Sequence, residues 1–171
     1  MLLFYRIIIN LLILVSPFII VIRLIKKKES FLRFKEKLCF FSKTKTRGKL
    51  IWFHGASVGE LQSIVPLLEK LEKKKDIQQI LVTSNTLSSS KIMEKINSKK
   101  IIHQFFPIDA NYLSRKFLNY WNPSLVFFID SEIWPNMVNN LYEKKIPFVL
   151  LNGRITKKTF NRCMKFPNFS K

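Results

Sequence analysis

The sequence predicts an α/β fold, a doubly wound parallel sheet behind an N-terminal apolar helix. Three observations predict it. Five short apolar runs, each closed by a polar turn and followed by a stretch with helical spacing, recur along residues 49–156. The runs are apolar almost throughout and do not alternate, as in strands covered on both faces. Ahead of them, residues 2–25 are nearly free of charge. Strand–helix repetition at this spacing favours a parallel sheet with helical crossovers.

The N-terminal stretch holds an uncharged run over residues 7–22, about 24 Å long as a helix and short of a hydrocarbon core of about 30 Å. With Arg6 and Arg23 snorkelling at its ends it becomes long enough. A cleaved signal peptide is the rival reading. Lys26-Lys27-Lys28 follows in place of a small-residue cleavage site, so residues 1–25 read as an uncleaved anchor, spanning the membrane or lying in its interface. The basic block places the rest of the chain in the cytoplasm. Residues 26–48 continue rich in Lys and Arg against only Glu29 and Glu36, with Phe31, Leu32, Phe34, Leu38, Phe40 and Phe41 interleaved. This reads as a membrane-apposed segment, each basic residue near an anionic leaflet contributing roughly 1 kcal/mol. Nucleic-acid binding is the alternative, since aromatics among basic residues can stack on bases. The apolar stretch directly upstream favours the membrane, and no nucleic-acid partner is expected.

The 171 residues carry a net charge of +19, from 30 Lys and Arg against 11 Asp and Glu, and are 47% hydrophobic. That is enough apolar material for one domain with an appendage, and enough charge to point to an anionic partner. Part of the excess is compositional drift, since Lys, Ile, Asn and Phe are all plentiful. Cys39 and Cys163 stand far apart and form no metal spacing with His54 or His103, a pattern without zinc or disulfide framework. His54 ends a strand beside a candidate site, whereas His103 lies in an apolar run and reads as structural.

Residues 49–60, Lys-Leu-Ile-Trp-Phe-His-Gly-Ala-Ser-Val-Gly-Glu, read as strand, Gly-bearing turn and helix start. Leu61, Ile64, Val65, Leu67, Leu68 and Leu71 then recur at helical spacing over residues 61–73, with Pro66 about one turn in. The second strand is expected at 79–83, followed by a hydroxyl-rich loop (84–90) and a helix to about 96. The third is expected at 101–106, with a helix through 120, and the fourth at 125–129, with a helix through 144. The fifth is expected at 147–151, with a helix starting near 156. Residues 49–171 form the predicted domain.

The C-terminal ends of such strands share one edge, where α/β proteins place ligands. That edge would carry Ser57, Gly59, Glu60, the 83–90 hydroxyls, Asp109, Asp130, Glu132, Asn152 and Arg154, a set suited to a sugar or phosphate. Glu60, at a helix start, is favoured there by the helix dipole. Whether it acts on a ligand or merely satisfies the helix start stays open from the local pattern. The 83–90 loop by itself reads as helix capping. Asp130 and Glu132 are costly to bury unless paired, and Arg154 is a partner for Glu132 one strand away. Trp134 and Pro135 would fix the turn into the next helix. No Gly-x-Gly-x-x-Gly or phosphate-loop Gly-Lys-Ser/Thr is present, which disfavours standard dinucleotide and nucleoside-triphosphate sites.

Taken together, His54-Gly-Ala-Ser-Val-Gly-Glu60, Asp130-Ser-Glu-Ile-Trp-Pro-Asn136 and Asn152-Gly-Arg-Ile-Thr156, in this order and behind an apolar N-terminus, resemble the N-terminal half of the 3-deoxy-D-manno-octulosonic acid (Kdo) transferase family. The resemblance covers essentially the whole chain. It implies a Rossmann-like domain, the acceptor-binding half of a GT-B glycosyltransferase that moves Kdo from CMP-Kdo to a lipid A precursor, in lipopolysaccharide biosynthesis at the cytoplasmic face of the bacterial inner membrane. It implies Glu60 as general base, Glu132 as the second acid of a Glu-x-Glu-x-Trp-Pro motif, and no metal or other cofactor. Ser57, Gly59, Asp130, Asn152 and Arg154 are then expected to bind substrate or support the transition state.

Two departures stand out. Asp130 replaces the family's usual Glu, and a Gly-Glu-Arg-Phe-Gly-like segment appears as Lys35-Glu-Lys-Leu-Cys39. The donor-binding second Rossmann domain is expected to lie outside these 171 residues, so the chain alone is expected to be inactive. The alternative is a membrane-anchored module that binds lipid A precursor or anionic lipid without turnover.

Overall fold

A computed structural model describes residues 2–130 and 134–153. Helix α1 (Leu2–Ile25) precedes a short 3₁₀-helix (Phe34–Leu38). The α/β part then runs β1 (Leu50–His54), α2 (Val58–Glu72), β2 (Gln79–Ser84), α3 (Leu87–Glu94), β3 (Ile101–Phe105), α4 (Asn111–Trp121), β4 (Leu125–Ile129), α5 (Pro135–Glu143) and β5 (Phe148–Leu151). The strands form one parallel sheet in the order β3-β2-β1-β4-β5. This is the predicted Rossmann-like α/β fold with an apolar N-terminal helix. The helix expected near residue 156 lies outside the described residues, as do Glu132 and Arg154.

Side-chain alternation along each strand sends residues to two cores. Ile51, Phe53, Ile80 and Val82 meet Leu61, Ile64 and Leu68 of α2 and Met93 of α3 on one face. Trp52, Leu81, Val126 and Phe128 meet Leu113, Phe117 and Trp121 of α4 and Met137 and Leu141 of α5 on the other. The chain winds one way from β1 to β3 and the other way from β4 to β5. The direction therefore reverses between neighbours β1 and β4, the place where open α/β sheets leave a crevice.

Helix α2 starts earlier than the apolar spacing suggests. Ser57 is its N-cap, and the polar first turn carries no periodicity to reveal it. Pro66 therefore sits in the helix interior, where its ring removes one i→i−4 hydrogen bond.

The basic segment contributes to the wall of the domain. Cys39 is buried in the core, and Leu38 and Phe41 pack against it. Glu36, 1% exposed, accepts from Arg33 Nε at 2.7 Å, from the Ser42 hydroxyl at 2.5 Å and from the Phe105 backbone N–H at 2.8 Å. Arg33 also donates to the His103 carbonyl at 3.0 Å. An Arg–Glu pair thus satisfies outward-facing backbone groups of β3, an edge strand that would otherwise offer them for pairing with another chain. His103 is structural, as expected: Arg33 lies 2.9 Å from its Nδ1 and Ser84 2.9 Å from its Nε2. Burial, then the Arg33 charge, hold its pKa down at about 3. Cys39, at the end of the 3₁₀-helix, has φ +58°, the left-handed region glycine tolerates best.

Candidate functional site

Glu60 lies in the first turn of α2, three residues after its N-cap. Its backbone N–H donates to Ser57 Oγ at 3.3 Å, and the Ser57 hydroxyl donates back to Glu60 Oε1 at 2.5 Å. The Ala56 N–H donates to Oε2 at 2.7 Å. This reciprocal arrangement is a variant of the capping box, in which Glu60 takes the amide of the residue before the N-cap and the N-cap hydroxyl. The capping reading is therefore realised, and it also fixes where the carboxylate sits. A carboxylate offers about four lone-pair directions. The hydrogen bonds from Ala56 and Ser57 take two of them, and Glu60 remains half-exposed at the sheet edge.

The two glycines of this turn differ. A Cβ on Gly55 would stand 3.0 Å from Leu61 Cδ2, 3.1 Å from Ile129 Cδ1 and 3.2 Å from Glu60 Cβ, so any side chain there would press on these close-packed neighbours. A Cβ on Gly59 would meet nothing within 4 Å. Gly59 has no positive φ among the described residues and sits exposed in a helix, where glycine is a poor choice energetically. A side chain at Gly59 would project into open space, so packing makes no demand for glycine there.

Across the switch point, β4 is followed by Asp130, whose φ is +57°. Its N–H donates to the Leu151 carbonyl at 2.8 Å, and Asn152 Nδ2 donates to its Oδ1 at 2.5 Å. Asn152 is itself left-handed at φ +55°. Asp and Asn tolerate this conformation better than most residues, so the shorter acid suits the turn. Asp130 and Asn152 are thus brought together at the edge, as the strand ends suggested.

A link that sequence reading missed joins the β1 and β4 loops. The Trp134 indole N–H donates to His54 Nε2 at 3.1 Å, and His54 Nδ1 lies 3.0 Å from Thr83 Oγ1. Phe106 stacks on His54 with ring centroids 4.0 Å apart and packs on Trp134 at 5.3 Å. The signal lay in the strand order, since winding both ways from β1 makes β4 its neighbour. Pro135 occupies the first turn of α5, as the Trp-Pro reading expected.

Asp109 does not line the rim with the other acids, contrary to the expectation for that strand end. It is 2% exposed and accepts from Tyr5 Oη at 2.9 Å, Asn136 N–H at 3.0 Å, Met137 N–H at 2.8 Å and Ser114 Oγ at 3.2 Å. The open amides at the start of α5 attract the carboxylate inward. Burial raises its pKa, while these hydrogen bonds pull the other way. The 83–90 hydroxyls likewise serve the fold: Thr86 caps α3 by accepting from the Ser89 N–H at 3.2 Å. Among the described residues no group of His, Cys, Asp and Glu is placed to hold a metal ion.

Strands wound in both directions from β1 define a Rossmann-like α/β domain, a class that places ligands at the strand ends where the winding reverses. Comparison with known proteins gives it a family. The family model described as 3-deoxy-D-manno-octulosonic-acid transferase (Kdo transferase) matches residues 32–171. The 3-deoxy-D-manno-octulosonic acid transferase of Rickettsia bellii is 38% identical over 151 residues, covering 88% of this chain and 36% of the relative. That of Rickettsia felis is 41% identical over 120 residues, 70% of this chain and 26% of the relative. A probable mitochondrial 3-deoxy-D-manno-octulosonic acid transferase of Arabidopsis thaliana is 32% identical over 140 residues, 82% and 31%. The chain belongs to the Kdo transferase family, as its glycosyltransferase N-terminal domain, and spans about a third of the length of these relatives.

Proposed function

We propose that this chain is the acceptor side of a Kdo transferase, with Glu60 as the general base that prepares an acceptor hydroxyl for attack. The observation that carries the reading is a carboxylate fixed in place and still accessible at the strand ends. Ala56 and Ser57 hold Glu60, which remains partly exposed. An acceptor hydroxyl reaching Glu60 would give its proton to it as the hydroxyl oxygen bonds to the anomeric carbon of Kdo. The bond from that carbon to the CMP phosphate oxygen breaks, and CMP leaves with the electron pair. Such positioned bases contribute about 10²–10⁴-fold. A phosphate leaving group needs no protonating acid, and no metal is assigned to the reaction. Asp130, Asn152, Glu132 and Arg154 are proposed to bind substrate or support the transition state, and Ser57 to hold the base in place. The donor, CMP-Kdo, is assigned to a second domain of the family, and the acceptor, a lipid A precursor, to this one. The apolar α1 and the basic residues after it fit an acceptor that resides in the cytoplasmic leaflet of the inner membrane.

The test is a transfer assay on detergent-solubilised chain mixed with a separately expressed donor domain from a full-length relative, CMP-Kdo and tetra-acylated lipid A precursor. Product that requires both halves and is lost in Glu60→Gln supports the proposal. Retained binding of the lipid without product in any mixture overturns it in favour of a non-catalytic, lipid-binding module.

A further inference from the structure

Helix α1 is long and apolar enough to cross a membrane, at about 36 Å for its 24 residues. Its ends, however, are both tied to the α/β domain. Near the start, Tyr5 donates to Asp109 at 2.9 Å, and Arg6 donates to Asn136 at 2.9 Å and Asn111 at 3.3 Å. Asn111 and Asn136 open α4 and α5, on the sheet edge that also carries Glu60. Near the end, Arg23 pairs at 3.0 Å with Glu29, whose side chain is only 2% exposed. Glu29 is held in turn by Lys37 at 2.9 Å, and Lys37 reaches the Asn85 carbonyl just past β2 at 3.3 Å.

Between these ties the helix has two faces. Tyr5, Ile9, Ile13, Ser16, Ile20 and Leu24 form a half-buried row at helical spacing, and Ile9 and Ile13 pack against the domain core. Phe4, Leu11, Phe18 and Ile25 lie seven apart on the opposite side and are 70%, 58%, 68% and 76% exposed. Seven residues make almost two whole turns, so these four share one stripe. Lys26, Lys27 and Lys28 stand exposed at its end, followed by exposed Phe31 and Leu32.

We propose that α1 lies in the plane of an anionic phospholipid leaflet, its Phe4–Leu11–Phe18–Ile25 stripe in the acyl boundary and its other face on the domain. A spanning helix would carry Tyr5 and Arg6 to the opposite side of the bilayer from Arg23. It would strip Asp109 of its Tyr5 donor and expose the half-buried row to lipid. An in-plane helix keeps every one of these contacts and sinks about 5–10 Å into the headgroup–acyl boundary. The lysines then meet the anionic headgroups. The sheet edge bearing Glu60 is held against the same surface through Asn111 and Asn136. This placement rests on the contacts of α1 and not on the transfer chemistry.

The experiment is depth profiling by spin labels on the full chain, bound to vesicles of phosphatidylcholine with phosphatidylglycerol. Phe4→Cys, Leu11→Cys, Phe18→Cys and Ile25→Cys are labelled one at a time in a Cys163→Ser background. Equal collision depth at all four sites is the expected result. A profile deepest near Leu11 and Phe18 and shallow at both Phe4 and Ile25 would overturn the proposal, as would failure to bind the vesicles. A second arm adds Tyr5→Phe with Arg6→Ala. Loss of equal depth at the Phe4 label, with Ile25 unchanged, is expected; an unchanged Phe4 label would show that the ties do not set the helix's position.

Discussion

Asp109 and Glu60 both follow strands of one sheet, at the same edge, and meet different fates. Asp109 is buried and accepts from four groups on three parts of the chain, among them a tyrosine 104 residues away. Glu60 stays half-exposed and, among the described residues, accepts only from its own turn, through Ala56 and Ser57. One carboxylate is consumed in joining α1, α4 and α5; the other is steadied without being used up. A strand-end acid is thus a candidate base only when lone pairs remain after the fold has taken what it needs.

The largest effect that could break this contrast is on stability. Asp109→Ala leaves the buried Asn136 and Met137 amides and the Ser114 hydroxyl without their acceptor, which at about 1–3 kcal/mol for each buried unsatisfied group predicts a loss of several kcal/mol in urea unfolding. Loss of less than about 1 kcal/mol would mean that Asp109 is not the pin described here.

The glycine pair sharpens the contrast within the Glu60 turn. Gly55→Ala must push Leu61, Ile129 or Glu60 aside and should cost about 1–3 kcal/mol. Gly59→Ala should leave stability unchanged or raise it by about 0.5–1 kcal/mol, while lowering transfer, since its methyl would project into the open space where the proposed acceptor approaches Glu60. Undiminished transfer by a folded Gly59→Ala chain would remove the acceptor from that space.

A smaller effect concerns pH. Burial raises the folded-state pKa of Asp109 above its unfolded value, so the folded chain holds that proton more tightly. Its contribution to stability is therefore fully present below the ordinary carboxylate pKa and declines as pH rises through the raised value. The stability difference between the parent chain and Asp109→Asn should accordingly widen as pH falls into the acid range. A difference that narrows there would show that the hydrogen bonds outweigh burial. The smallest effect is chemical: burial pushes the Cys39 thiol up to about 12, so in a Cys163→Ser chain maleimide should not label it until the chain unfolds.

Much of this was legible in the sequence. The β4 run, Leu125–Ile129, matches its expected span, and the other strands differ by a residue at one end, because unbroken apolar runs between polar turns specify buried parallel strands. The Ser57–Glu60 spacing already held the capping box. What stayed hidden depends on partners distant in sequence. Nothing near Asp109 announces Tyr5, and nothing in the basic run around Arg33 announces that Glu36 will cover the β3 edge. Charge density there suggested a solvated, membrane-facing segment, whereas the buried Cys39 and Glu36 make part of it domain wall. The His54–Trp134 bond likewise needed the strand order before its partners became neighbours.

The division of labour between the two acids is tested most directly by measuring urea unfolding and Kdo transfer on the same preparations of Glu60→Gln and Asp109→Asn. Gln retains an acceptor oxygen for the capping box, so Glu60→Gln should unfold within about 1 kcal/mol of the parent chain. Its transfer with the donor half should fall by about 10²–10⁴. Asp109→Asn should lose stability first, and transfer only in step with unfolding. Glu60→Gln that transfers at the parent rate, or that loses as much stability as Asp109→Asn, would contradict the account.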